Sequence, residues 1–143
     1  MANTELVSGT HETTIRILRE DHRRILALFH LYLAMAADSR QSAVDQILGL
    51  LEEHFQKEEG FLSTVAPRPD GQGSRMVEQV LIEHDELRAM IEELRGSETD
   101  DDQALDEFFE DMMHTVRLHF LTEEQDLFPH LQSPRADTRS LST

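Results

Sequence analysis

An all-α fold, an up-down-up-down antiparallel four-helix bundle, is predicted by three features of this sequence. Apolar residues recur at helical spacing in four separate segments. The segments are joined by short stretches rich in charge, Pro or Gly, and short connections make neighbouring helices antiparallel. The 143 residues include only 6 Gly and 4 Pro against 38% hydrophobic residues, a balance that favours long helices and suffices for one domain with a real core.

The first helix is expected over about residues 12–37, on the stripe Ile15, Leu18, Ile25, Phe29 and Leu33. "DSRQ" separates it from a second helix at 41–63, which carries Val44, Ile47, Leu51, Phe55 and Phe61. After "TVAPRPDGQG" the third, 74–95, carries Val77, Leu81, Leu87, Ile91 and Leu94. "GSETDDD" leads into the fourth, 102–131, with Leu105, Phe109, Met112, Val116, Phe120 and Leu127; its acids favour a helix start. The bundle is therefore assigned to residues 12–132, with a flexible N-terminus over 1–11 and a disordered tail over 133–143, where periodicity is lost.

A net charge of −16 argues against nucleic acid and anionic membranes as partners. The absence of cysteine rules out disulfides, thiolate metal sites and iron–sulfur clusters. No apolar leader opens the chain and no run of ~20 apolar residues follows, so a soluble cytoplasmic protein, monomeric or weakly dimeric, is expected.

The chain is also internally doubled. "HFQKEE" (54–59) returns as "HFLTEE" (119–124), and "LREDHRRIL" in the first helix resembles "VLIEHDELR" in the third. This pattern predicts a two-helix hairpin used twice about a pseudo-twofold axis. The polar residues of the repeat fall in the core register. His54 and Glu58 continue Val44, Ile47 and Leu51, while His119 and Glu123 continue Phe109, Met112 and Val116. His22 follows Ile15 and Leu18, and His84 follows Val77 and Leu81. Four imidazoles and two carboxylates thus point into one interior.

Two buried glutamates without counter-charges are costly or must be protonated. Metal cations remove the difficulty. Imidazole with bridging carboxylate suits iron, manganese or zinc rather than calcium or magnesium. Six ligands exceed one tetrahedral site but fit two metals, each with two His and a share of both Glu.

The order His22, His54-x3-Glu58, His84, His119-x3-Glu123, with "EEQDLFP" after the last pair, resembles the hemerythrin family in its HHE cation-binding branch, over about residues 12–131. The resemblance implies a hemerythrin-like bundle holding two iron ions, bridged by oxide or hydroxide, and O2, peroxide or NO as small-molecule partner. Arg88 stands where oxygen carriers of the family have a fifth histidine, and their last carboxylate would map to Glu124. Glu123 is preferred because it repeats the His54–Glu58 spacing, with Glu124 as the alternative. The four-His, two-Glu set favours catalase-like peroxide decomposition over reversible oxygen carriage, with sensing or carriage of O2, NO or iron as the other reading. Ferritin-like di-iron bundles use Glu-x-x-His, but Arg19, Leu51, Leu81 and Val116 stand at those positions.

The other polar candidates receive plainer readings. His11 is expected to be solvated before the first helix, His30 to be structural, His114 to face elsewhere, and His130 to lie too far along its helix. Tyr32 is read as core packing ahead of a redox or gating role. Arg88 either snorkels to solvent or closes one side of the site.

Overall fold

The computed structural model describes residues 2–65, 71–97 and 101–132. Helix α1 (Ala2–Ala34) is followed by a 3-10 turn (Ala37–Ser39) and α2 (Arg40–Val65). Then come α3 (Gln72–Arg95), α4 (Asp102–Thr122), a π-helical turn (Glu123–Leu127) and a short α5 (Phe128–Gln132). Contacts along the helices run in opposite senses, as an up-down-up-down bundle requires. His11 meets Phe61 while His22 meets His54. Arg95 pairs with Glu52 while His84 reaches Glu59, and Glu83 binds His119 while Leu94 and Leu105 line one cavity.

Local chemistry fixes the ends. Asp101 caps α4, its carboxylate accepting from the Ala104 N–H at 3.1 Å. At the end of α3, the Gly96 N–H donates to the Glu92 carbonyl at 2.9 Å, and Arg95 completes the last turn as a cation. Between α1 and α2, Arg40 donates to the Met35 carbonyl and to Asp106 (2.8 Å), and Tyr32 donates to the other oxygen of Asp106 at 2.7 Å. These bonds tie the α1–α2 turn to α4.

The apolar interior has two parts. One contains Ile25, Tyr32, Leu51, Phe55, Leu87, Ile91, Phe109, Met112 and Phe120; the other contains Ile15, Leu18, Phe61, Leu62, Val80, Leu127 and Phe128. A fully buried Leu or Phe contributes about 1.5–3 kcal/mol. Between them lie the buried polar residues His22, His54, Glu58, His84, His119 and Glu123.

Several expectations need correction. The segment 1–11, read as flexible, is helical from Ala2, because no proline interrupts it and extending an anchored helix requires no new nucleus. His11 consequently lies within α1 and packs edge-on against Phe61, at 5.6 Å between centroids. The continuous fourth helix is broken by the π turn. Leu33 and Leu81 are exposed, since Tyr32 and Val80 take the inward positions beside them. The tail 133–143 lies outside the described residues. Among the described residues, no helix is long and apolar enough to cross a membrane.

Candidate metal centre

All six residues singled out in the core register come together in the middle of the bundle, and each is almost completely buried. They form two overlapping groups: His22, His54, Glu58 and Glu123, and His84, His119, Glu58 and Glu123. In each group one donor atom per residue lies within 4.8 Å of every other. Both glutamates belong to both groups. Glu58 approaches His54 Nε2 (3.6 Å) with one oxygen and His84 Nε2 (3.0 Å) with the other. Glu123 likewise reaches His22 Nε2 (3.2 Å) and His119 Nε2 (3.4 Å).

A second layer of carboxylates fixes the rings. Glu124 accepts from His22 Nδ1 at 2.6 Å, Asp21 from His54 Nδ1 at 3.2 Å, Glu59 from His84 Nδ1 at 2.7 Å, and Glu83 from His119 Nδ1 at 2.6 Å. A carboxylate anion can only accept, so each Nδ1 carries the proton and each Nε2 turns a lone pair inward. The four bonds run from helix to helix in a closed ring. An acid of α1 holds the histidine of α2, α2 holds α3, α3 holds α4, and the π turn after α4 holds α1.

The doubled motif is now explained residue by residue. The Phe after each ligand histidine stacks on a histidine of the opposite hairpin. Phe120 lies 3.8 Å from His22 at 8°, and Phe55 lies 4.3 Å from His84 at 27°. The first Glu of "EE" faces the centre, and the second grips the same histidine that the Phe covers. Each "HFxxEE" element thus supplies two inner groups and clasps one histidine of the other hairpin.

Burial and mutual proximity shape the acid–base behaviour of the site. Burial drives His22 down to about 3, with the His54 charge adding to the effect. His119 is lowered chiefly by burial, opposed by its bond to Glu83. Glu123 is pushed well above the ordinary carboxylate range by burial and by the facing Glu58. For Glu58 burial also acts upward and is the largest influence, but the adjoining Glu123, His54 and His84 turn the net shift downward. The outer Asp21, Glu59 and Glu83 follow the same logic: burial raises them, and their histidine and Lys57, Arg88 or Gln79 partners bring each below its usual value.

The donor set fits metal cations on its own chemistry. Both oxygens of Glu58 and of Glu123, and Nε2 of His84 and His119, have no hydrogen-bond partner. His22 Nε2 and His54 Nε2 face each other at 3.1 Å with both Nδ1 protons committed elsewhere. Lone pairs converging on lone pairs in a dry interior repel unless a cation lies between them.

The remaining candidates lie apart from this set. His30 and His114 are exposed, and neither they nor His130 belong to a donor group. Tyr32 is buried against Phe109 and Phe29 and bound to Asp106. Arg88 is one-third exposed and pairs with Glu59 at 2.8 Å, buttressing the acid that holds His84. Glu124, the alternative ligand, takes the outer role on His22, whereas Glu123 takes the inner one.

No curated protein and no solved structure matches the chain. The family model described as "Hemerythrin HHE cation binding domain" matches residues 13–136, spanning every residue of the centre. The chain belongs to the hemerythrin HHE cation-binding family.

Proposed function

We propose that the chain binds two iron ions in this centre, one against His22 and His54 and one against His84 and His119, with Glu58 and Glu123 shared between them. The observation that carries the reading is that both donor groups use the same two glutamates, whose four oxygens are buried without partners. Histidine nitrogen with carboxylate oxygen is a donor set that suits iron. Two irons would supply the electrons for reaction with O2, NO or peroxide.

The chain's own residues do the rest. The outer carboxylates hold each imidazole in the tautomer that binds, and Phe55 and Phe120 cover a face of His84 and of His22 respectively. Each iron receives four protein donors, which leaves positions for a small molecule. Arg88, where a fifth imidazole would stand in an oxygen carrier, is engaged with Glu59 instead. That nitrogen-poor set favours decomposition of hydrogen peroxide to water and oxygen over reversible O2 carriage.

Elemental analysis of protein loaded with ferrous iron without oxygen tests the centre, with two irons per chain expected. Oxygen evolution from added peroxide tests the reaction. One metal or none would remove the proposal. Two irons with a stable, reversible O2 adduct and no peroxide consumption would make the protein a carrier or sensor.

A further inference from the structure

A cavity of about 240 Å³ opens between α3 and the end of α4, and Glu123 is among the residues that line it. Met76, Val80 and Leu127 line it, with Glu83 and Asp126 also on its wall. Arg75 brings one positive charge to the same wall. Glu123 is almost fully buried and has neither oxygen hydrogen-bonded, so the cavity leads to an unpartnered group of the centre.

The internal repeat explains why a cavity forms here. Four residues before the ligand histidine, the first hairpin has Leu18 and the second the smaller Val80. Three residues after the shared glutamate, the first has Phe61 and the second Asp126. Leu18 and Phe61 are buried in the apolar interior, whereas Asp126 is exposed. The π turn also carries Leu127 and Phe128 round to the core side. At these two register positions the second hairpin carries less apolar bulk than the first.

We propose that this cavity is the entrance through which a small uncharged molecule reaches the centre from the His84–His119 side. The inference rests on the proposed binding of an exogenous ligand there. The surface of its wall is largely apolar, and its outer carboxylates Glu83 and Asp126 outnumber its single Arg75. In a chain of net charge −16 this disfavours anions and admits neutral molecules.

Two measurements test it, with Val80→Phe to fill the cavity and Val80→Leu to copy the first hairpin more gently. In metal-free, methyl-labelled protein, xenon should shift the methyl resonances of Met76, Val80 and Leu127, and the shifts of Met76 and Leu127 should vanish in Val80→Phe. In iron-loaded protein, nitric oxide should bind about tenfold more slowly in Val80→Phe, with Val80→Leu between, and azide should bind the wild type more slowly than nitric oxide does. Xenon that leaves those methyls unmoved overturns the inference, as does nitric oxide binding at the wild-type rate in both variants. Nitric oxide failing to bind any iron-loaded form would instead defeat the reading of the centre, leaving the xenon result to decide whether the cavity admits neutral molecules.

Discussion

The two halves of the centre use the same inner chemistry in different settings. In the first, the His22 and His54 rings lie 4.8 Å apart between centroids, and His22 stacks with both Phe120 and Phe128. In the second, the His84 and His119 rings lie 5.0 Å apart between centroids, with Phe55 stacked on His84 and a cavity beside Glu123. The outer acids differ too: Lys57 supports Asp21 and Arg88 supports Glu59. Duplication preserved the donors, and the differences lie in what surrounds them. Equal donor counts therefore do not make the surroundings of the two donor groups equivalent.

The strongest test of this symmetry removes a shared group. Glu58→Ala and Glu123→Ala each subtract an oxygen from both halves, so both should fall from two metals to one or none by elemental analysis. A variant that keeps two would show that its glutamate is not shared. Next in size, chelation should destabilise the whole bundle, because metal at a thousandfold excess over Kd contributes about 4 kcal/mol, roughly 10 °C in melting temperature. An unchanged calorimetric transition would mean that metal does not bind the native core.

Acid should act on the metal-free protein through its buried imidazoles, His22 foremost. His22 titrates at about 3 in the folded chain, against an ordinary value of 6.5. Between those values the unfolded chain takes up the proton and the folded chain does not. Stability is thus retained above about pH 6.5 and falls as the pH drops towards 3. In Glu123→Gln, where the raised carboxyl can no longer take up a proton over the same range, equal urea midpoints at pH 7 and pH 5 would contradict the buried, neutral state of this imidazole.

Smaller effects separate the outer acids. Glu124→Gln and Glu59→Gln should each weaken metal binding about 10- to 100-fold, one through His22 and the other through His84. Arg88→Ala should weaken it less than Glu59→Gln, since it removes only the support for Glu59. Equal losses in a competitive titration would assign Arg88 a direct part in the centre. The smallest change is expected away from both halves. Tyr32→Phe deletes one bond to Asp106, which keeps Arg40, and should cost about 1 kcal/mol without altering metal content. A change in metal stoichiometry would restore Tyr32 as a functional residue.

Much of this was legible in the sequence, for physical reasons that can be named. A His or Glu in an apolar stripe has few explanations, so the six inner residues stood out. Their outer partners did not, save Glu124, which stood out only as an alternative inner ligand, although each sits next to an inner residue: Asp21 before His22, Glu83 before His84, Glu59 after Glu58 and Glu124 after Glu123. An acid one step round a helix from the core looks like ordinary solvated surface. Only the three-dimensional packing shows that it reaches the neighbouring helix. The π turn was invisible because one widened turn leaves no period of its own. Leu81 was misplaced because a stripe alternates between three- and four-residue steps, and Val80 took the step that Leu81 seemed to fill.

The ring of outer carboxylates gives the buried centre terminals at the surface. Glu124, Glu59, Glu83 and Asp21 each hold a sealed imidazole with one face and touch water with the other, their side chains 38%, 29%, 28% and 21% exposed. A gain of positive charge among the inner groups makes every Nδ1–H a stronger donor and its carboxylate harder to protonate. A loss of charge does the reverse. The charge of the buried centre is thus felt at four carboxylates that water can reach.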